Sequence, residues 1–453
     1  MKKVITYGSF DLFHEGHYNL LKRAKALGDY LIVGVTTEQY DESRGKLNVV
    51  DTLAERIENV KRTGFADLII VEDHIGQKIE DIQKYGIDIF TVGSDWAGKF
   101  EFLRDYCDVV YLERTKGVSS TILRGKNYGI IRLGIIGTGR IAKRFVTEVK
   151  YVSGINTEMV YNPHIESARL FAKENELNKY TDDIDLFFAD IDAVYIASPH
   201  NTHYSYIKGA LRNGKNVLCE KPMVLRKAEA EELFELAQEK KLVLMEAIKT
   251  AYCPGFIDIV SNARSGIIGK ICDVEAGFTK LLPNQNSREF DSKENGGSFT
   301  ELGSYPLLAI LKILGTSYSD IAFISYLNND GIDLYTKAYI KYPNAVATVK
   351  VGLGVKSEGN LVISGTDGYI ISESPWWLTK SFEICFEDRE NNEKHFSRYL
   401  GQGLRYEIAA FVSNIHGHNK YRGVFNKEIN ITIADIMEKY LRYRNEGKIG
   451  IIR

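Results

Sequence analysis

Short apolar runs alternate with amphipathic stretches from Met1 to about Tyr128. Val4–Tyr7, Tyr30–Val35, Leu68–Val71, Ile87–Val92 and Val109–Leu112 are predicted strands, and Tyr18–Leu27, Leu53–Thr63 and Ile79–Tyr85 predicted helices. Near-continuous apolar strands separated by helices predict a parallel sheet covered on both faces. A polar stretch, Arg124 to Tyr128, closes this block, and a fresh strand–glycine–helix start follows at Ile131. The alternation then repeats, with predicted strands at Ile131–Ile136, Asn156–Tyr161, Ala193–Ala197, Asn216–Cys219 and Val243–Glu246. Beyond Pro254 the pattern changes. Val274–Lys280, Ile321–Tyr326, Leu334–Tyr342, Ala345–Leu353, Asn360–Ser364, Gly368–Ser372 and Ser381–Phe386 follow one another with few helices between them. Consecutive strands joined by short polar turns predict an antiparallel sheet, flanked by helices at Tyr305–Leu314, Tyr406–Ile415 and Ile431–Arg444. The expectation is α/β architecture in three domains: 1–128, 129–250 and an α+β domain over 251–453.

Composition narrows this little. Of the 453 residues, 44% are apolar and 26% charged, with a formal net charge of −2, so nothing points to a nucleic-acid or membrane surface. The five cysteines are scattered without a Cys-x-x-Cys pair, which fits a reducing cytoplasm and gives no protein metal site. Asp11 and His14 interrupt any signal-peptide core, and no apolar run is long enough to span a bilayer. A cytoplasmic location, with no membrane insertion, is expected.

Chemistry enters first at His14-Glu15-Gly16-His17, directly after the strand-like Lys3-Val4-Ile5-Thr6-Tyr7-Gly8. A helix N-terminus offers unpaired backbone N–H groups and a positive dipole end, and two histidines on one face can donate to phosphate oxygens. In-line displacement of pyrophosphate needs such positioning and charge stabilisation rather than a covalent nucleophile. Ordinary surface histidines, or half of a metal site, are the competing explanation. The strand before the pair and the basic residues after it favour phosphate handling.

Lys2 to His17 and Leu20-Leu21-Lys22-Arg23-Ala24-Lys25, with Val92-Gly93-Ser94-Asp95-Trp96-Ala97-Gly98-Lys99-Phe100 and Arg114-Thr115-Lys116-Gly117-Val118-Ser119-Ser120-Thr121, resemble bacterial glycerol-3-phosphate cytidylyltransferases across residues 1–125. The resemblance implies that His14 and His17 contact the CTP phosphates and stabilise the transition state. It implies that Ser9 and Phe10 line the nucleotide pocket and that Asp95 lies near the base. Arg114 and Thr115 would bind nucleotide, Ser119, Ser120 and Thr121 would hold phosphate at a helix N-terminus, and Arg44 and Lys46 would meet the triphosphate. Mg²⁺ would accompany CTP on phosphate oxygens. One departure bears on the acceptor: Arg56 matches a family arginine, but the family's next one falls on Gly64, with Lys61 and Arg62 close by. The acceptor is therefore a small polyol phosphate, glycerol-3-phosphate or another.

A second signature is Gly137-x-Gly139-x-x-Ala142 after a strand and before a helix, the dinucleotide fingerprint in its required context. Gly137 makes the turn and Gly139 admits a pyrophosphate, flanked by Arg140 and Ile141. Asn162 stands where an acidic residue is expected, with Pro163 and His164 after it, so NAD and NADP both stay open. Tyr195 to His203, with Ser198 in it, Val217-Leu218-Cys219-Glu220-Lys221-Pro222, and Gly296 to Pro306 are similar to the Gfo/Idh/MocA oxidoreductases over roughly 130–450. The resemblance implies that Lys221 and Glu220 sit beside the nicotinamide and that Tyr305 exchanges a proton with the substrate hydroxyl, Lys221 favouring the tyrosinate. It leaves His203 structural or near the cofactor. Lys249 stands where that family commonly has an aromatic residue, and either meets a substrate anion or is solvated. Trp376-Trp377 reads as an exposed aromatic pair suited to packing or an oligomer contact.

The fold expected from both resemblances is an HxGH nucleotidyltransferase Rossmann-like domain, an NAD(P)-binding Rossmann domain and a C-terminal α+β domain. The expected function is bifunctional. The second half reduces a keto or aldehyde sugar (phosphate) to a polyol, and the first couples a polyol phosphate to CTP for a cell-surface polymer. Two alternatives stand beside it: reduction of the nucleotide-linked sugar, or one inactive half serving as a binding or oligomerisation module. Small-molecule partners, no nucleic acid and a homo-oligomer are expected.

Overall fold

The structure is a computed structural model that describes residues 1–11, 13–43, 49, 51–74, 76–113, 130–283, 288–417 and 426–452. The chain forms two compact units, Met1–Arg132 with Val149–Asn156, and Leu133–Glu148 with Thr157–Arg453. Among the described residues no helix is long and apolar enough to cross a membrane.

The first unit holds a five-stranded sheet of β1 (Lys3–Gly8), β2 (Tyr30–Thr36), β3 (Leu68–Glu72), β4 (Ile89–Gly93) and β5 (Asp108–Leu112), in the order β3-β2-β1-β4-β5. All of its pairings are parallel. Successive residues of β1 feed opposite faces, as strand geometry requires. Val4 packs with Leu21, Ala24 and Val60 on one side, while Ile5 and Tyr7 pack with Ile82, Phe90 and Leu103 on the other. Helices therefore cover both faces, and the carboxyl ends of the central strands are left to carry a site. The first helix begins at Glu15, three residues ahead of the predicted Tyr18, because His14 caps it.

A six-stranded sheet, most of whose residues fall in the second unit, is formed by β6 (Ile131–Ile136), β7 (Ile155–Tyr161), β8 (Lys179–Thr181), β9 (Ala193–Ile196), β10 (Asn216–Glu220) and β11 (Leu244–Ala247). Its order is β11-β10-β9-β6-β7-β8. The short edge strand β8 carries too few apolar residues to be visible in the pattern. Next comes a nine-stranded sheet: β12 (Ile271–Thr279), β13 (Asp320–Leu327), β14 (Asp333–Lys341), β15 (Val346–Gly352), β16 (Leu361–Gly365), β17 (Gly368–Ser372), β18 (Ser381–Phe386), β19 (Glu393–Phe396) and β20 (Gly450–Ile452). The order is β19-β18-β17-β16-β12-β15-β14-β13-β20. This sheet is mixed, not antiparallel as the pattern predicts. β12 pairs in parallel with β15 and β13 with β20, because the chain passes through helices and the antiparallel β13 and β14 before β15, and β20 returns after the last helix. Along β13 buried and exposed residues alternate strictly, so one face of the sheet is open to solvent. The helix Ser304–Leu314 is almost wholly buried on the other face, against β12 and β15.

Candidate active sites

In the first unit β1 ends at Gly8, and Phe10 turns back at φ +51° so that its ring lies over that glycine. A Cβ on Gly8 would stand 3.0 Å from Phe10 Cε2. Ser9 and Phe10 are both buried. His14 then occupies the N-cap of the helix Glu15–Lys25, and its Nδ1 accepts the Gly16 backbone N–H at 2.9 Å. Accepting at Nδ1 fixes the neutral tautomer, so Nε2 carries the ring proton. Gly16 is required for this arrangement: a Cβ there would lie 2.7 Å from His14 Cε1. One turn on, His17 stacks on His14 with ring centroids 3.8 Å apart, and Phe10 and Phe13 border it at 5.5 Å each.

Arg56 is fully buried behind this loop. Its Nη1 donates to Ser9 O at 2.9 Å and Thr36 O at 2.7 Å, its Nε donates to Asp51 O at 3.0 Å, and it lies 3.5 Å from Asp41. It ties the ends of β1 and β2 to the loop before Leu53. Gly64, at φ +71°, meets no side chain within 4 Å, and exposed Arg62 pairs with Glu58 at 3.4 Å. Arg44, Lys46, Arg114, Thr115, Ser119, Ser120 and Thr121 lie outside the described residues, as does the side chain of Asp95.

In the second unit a cleft of about 1120 Å³ opens at the carboxyl ends of the six-stranded sheet. The candidate site residues of that half line it: Gly137, Gly139, Arg140, Ile141, Asn162, Ser198, Glu220, Lys221, Lys249 and Tyr305, whereas Ala142 of the glycine motif is buried in the core. Gly137 sits at φ +104°, where a Cβ would fall 2.5 Å from Ala197 O, so only glycine lets β6 turn beside β9. Gly139, by contrast, faces open space, where a Cβ would meet no protein atom within 4 Å. That open space lies at the N-terminus of the helix Arg140–Val149, so the turn fits a dinucleotide pyrophosphate. Asn162 donates to Thr138 Oγ1 at 3.0 Å and accepts from His164 N at 2.9 Å, bracing the turn without charge.

The end of β10 holds the polar centre. Tyr195 donates to Glu220 Oε1 at 2.6 Å, and Lys221 Nζ donates to the Glu301 carbonyl at 2.9 Å with the Glu301 carboxylate at 3.8 Å. His200 Nδ1 lies 3.7 Å from that same carboxylate. His203 is wholly buried, its ring nitrogens 2.9 Å from Pro222 O and Ser198 O, so it is a brace for both loops. Burial lowers its pKa to about 4, against the two carbonyls, which favour the protonated ring. Neither Glu301 nor His200 is expected from the sequence, although Glu301 lies inside the glycine-rich run that leads to Tyr305.

Tyr305 contacts the edge of Phe278 at 5.1 Å, and Phe278 stacks on Trp377 at 3.7 Å. Trp377 is thus a cleft residue, whereas Trp376 is fully buried and donates to Gly277 O at 2.7 Å. Neither belongs to the exposed pair that the sequence suggests. Burial pushes the Tyr305 hydroxyl far above its ordinary range, and the Glu220, Glu407 and Glu246 carboxyls reinforce this. Both influences favour the phenol over the tyrosinate. Lys249 Nζ donates to Gln402 O at 2.6 Å. Burial lowers its affinity for a proton, while Glu407, Cys253 and Glu220 oppose that and Arg144 adds to it.

Residues 5–126 match the family model described as cytidylyltransferase-like. Residues 131–248 match that of an oxidoreductase family with an NAD-binding Rossmann fold, and 260–371 that of the GFO/IDH/MocA C-terminal domain. Glycerol-3-phosphate cytidylyltransferase of Bacillus spizizenii is 49% identical over 124 residues, 27% of this chain and 95% of that protein. The scyllo-inositol 2-dehydrogenase (NADP(+)) of Bacillus subtilis is 27% identical over 319 residues, 68% of this chain and 96% of that one. A 3-ketoreductase from Actinomadura kijaniata, solved with NADP and TDP-benzene, shares the fold at a TM-score of 0.62 with 22% identity, over 71% of this chain and 99% of that one.

Proposed function

Since this chain belongs to the cytidylyltransferase-like family in its N-terminal region and to the GFO/IDH/MocA oxidoreductases in the remainder, we propose that both halves serve one small polyol. The protein is a cytidylyltransferase and an NAD(P)-dependent oxidoreductase. In our reading the second half reduces a keto or aldehyde sugar, or its phosphate, to the polyol. The first half then joins a polyol phosphate to CTP, giving a CDP-alditol and pyrophosphate.

The observation that carries this reading is the Tyr305 phenol lining the same cleft as Lys221 and the glycine turn. In reduction such a phenol gives its proton to the developing alkoxide, and in the reverse reaction the same group takes it back. When bound, the reduced nicotinamide supplies hydride to the carbonyl carbon. Gly137, Gly139 and the amides opening the helix at Arg140 hold the dinucleotide; Lys221, anchored on Glu301, orients the carbonyl oxygen toward Tyr305. NADP is named for one curated relative, and Arg140, which lines the cleft beside the turn, would be the residue to meet its extra phosphate.

For the cytidylyl half, His14 and His17 donate to the α-phosphate region of CTP as the acceptor phosphate attacks in line. The defined tautomer of His14 supports this role. Mg²⁺ travels with CTP on its phosphate oxygens. Glycerol-3-phosphate is the acceptor suggested by the relatives, and CDP-glycerol the corresponding product. The activated polyol would feed teichoic-acid-like or capsular polymer synthesis in the cytoplasm. A homo-oligomer formed on the open face of the nine-stranded sheet, where Ile324, Tyr326, Tyr339 and Val346 are exposed, completes the reading.

Pyrophosphate release from CTP and Mg²⁺ against a panel of polyol phosphates tests it, with His17→Ala as control. Release that depends on one polyol phosphate and disappears in the variant is the expected result. The second reading, reduction of a nucleotide-linked sugar, draws on the Trp377–Phe278 stack in the cleft and on the relative solved with TDP-benzene. Turnover of a CDP-linked keto sugar in place of the free one would select it.

A further inference from the structure

The charge of the oxidoreductase cleft is lopsided. Among the described residues, Arg140, Arg144, Lys221, Lys249, Lys280, Arg288 and Lys356 line it, against Glu220, Glu289 and Glu301 alone. Two of the carboxylates are engaged: Glu289 lies 3.8 Å from Arg140, and Glu301 holds Lys221. Among the described residues no carboxylate lies within ion-pair distance of Arg144 or Lys280. Arg144 sits close enough to both Lys249 and Lys280 to weaken their hold on a proton. Mutually repelling cations at one side of a cleft are stabilised when an anion joins them.

The sheet order says which anion. Along the carboxyl edge the glycine turn follows β6, Lys221 follows β10, and Lys249 follows β11 at the sheet's end. Along that edge Lys249 therefore lies beyond Lys221 from the glycine turn. Its ammonium uses one N–H on Gln402 O and has two more to give. The carboxyl groups behind it, Glu407 and Glu220, favour its charged form without forming an ion pair with it among the described residues. Glu220 takes the Tyr195 hydroxyl, and buried Glu407, whose carboxyl burial and Glu220 shift upward, has neither oxygen hydrogen-bonded among the described residues.

We infer that the carbonyl substrate reaches this site already bearing a phosphate monoester, which Lys249 holds with Arg144 and Lys280 adding positive field. This rests on the proposed reductase reading and sharpens it. Cytidylyl transfer forms a new P–O–P bond from an acceptor phosphate oxygen, so the polyol must carry that phosphate before it is activated. Reduction of a keto or aldehyde sugar phosphate gives the acceptor in one step. The C=O π bond breaks, its carbon gains hydride from the reduced nicotinamide, and its oxygen gains the Tyr305 proton. The phosphate ester is untouched, and no separate phosphorylation of a free polyol is needed.

Nicotinamide fluorescence of the full chain loaded with NADPH or NADH tests this without turnover. The probes are glycerol 3-phosphate against glycerol and ribitol 5-phosphate against ribitol. At least one phosphate should perturb the signal at concentrations on the order of tenfold to a hundredfold below its parent polyol, as charge-assisted hydrogen bonds dictate. Lys249→Met should remove that preference while NAD(P)H still binds. Equal responses to polyol and phosphate in the unaltered protein would overturn the inference and leave the reductase reading standing. Failure to bind either dinucleotide would overturn both. Reduction of a CDP-linked keto sugar in preference to the sugar phosphate would overturn the proposed order.

Discussion

The imidazoles of His14 and His17 lie face to face, 3.8 Å apart and tilted by 21°, over the start of the first helix. The Gly16 N–H sets the first ring and helical spacing sets the second. Gly16→Ala should therefore act through His14. Its Cβ would enter within 2.7 Å of the ring and displace it. We expect cytidylyl transfer to fall about a hundredfold, the usual cost of losing one transition-state donor, with NAD(P)H-dependent activity unchanged. Parallel assays of pyrophosphate release and NAD(P)H consumption check this.

Tyr305→Phe should lower carbonyl reduction by about two to four orders of magnitude, the range for a lost proton donor. Binding of NAD(P)H, followed by fluorescence, should persist. Because burial and nearby carboxyls raise the Tyr305 pKa, its donor form survives above the ordinary tyrosine range near 10. The chemical step should accordingly show no alkaline decline from this group up to about pH 9.5. Lys249 is displaced in the opposite sense, so its charge is lost at lower pH than an ordinary lysine's. KM for a phosphorylated substrate should climb on the alkaline side while kcat holds, and a pH profile of both constants separates the two effects.

Glu246 gives a stability prediction. Burial raises its carboxyl to about 7, with Glu220 adding to the shift and the Met223 N–H and Lys221 opposing it. A raised folded-state pKa means that the native state binds the proton more tightly than the unfolded chain. Its contribution is complete below about pH 4.3 and is lost as pH rises through about 7, amounting to roughly 3 kcal/mol. Glu246→Gln keeps an acceptor for Met223 N, at 2.9 Å in the parent, and cannot ionise. The variant should gain stability relative to the parent between pH 5 and pH 8 (about those bounds) in denaturant titrations.

Arg56→Met should destabilise the first unit by about 3–5 kcal/mol, the cost of stripping one partner from a buried ion pair. Asp41 is fully buried, and the carbonyls of Ser9 and Thr36 would lose their donor. Calorimetry should show the loss in one transition. Arg62→Met, at an exposed pair, should change stability by less than about 1 kcal/mol.

Sequence pattern reached the two parallel sheets because their buried strands, such as Tyr30–Thr36, are continuous apolar runs. It missed the parallel β12–β15 and β13–β20 pairings, since strand direction in a mixed sheet depends on how the chain returns, not on local alternation. The residues lining the second cleft were legible where a backbone demand leaves a mark, as at Gly137 and in the run ending at Tyr305. Glu301, Arg144 and Lys280 were not, because a charged residue on a helix or strand end looks solvated until the fold places it. Trp377 was visible as an aromatic pair with Trp376, but only packing separates the buried ring from the cleft ring.

If one polyol links both activities, a single reaction mixture will show it. The full chain is incubated with NADPH or NADH, CTP, Mg²⁺ and one keto sugar phosphate at a time, and the products are identified by mass spectrometry. The expected product is a CDP-alditol two hydrogens heavier than the CDP-linked keto sugar, absent with His17→Ala and absent with Tyr305→Phe. Dinucleotide consumption and pyrophosphate release that never share a carbon skeleton, across the panel of sugar phosphates, would contradict a shared polyol.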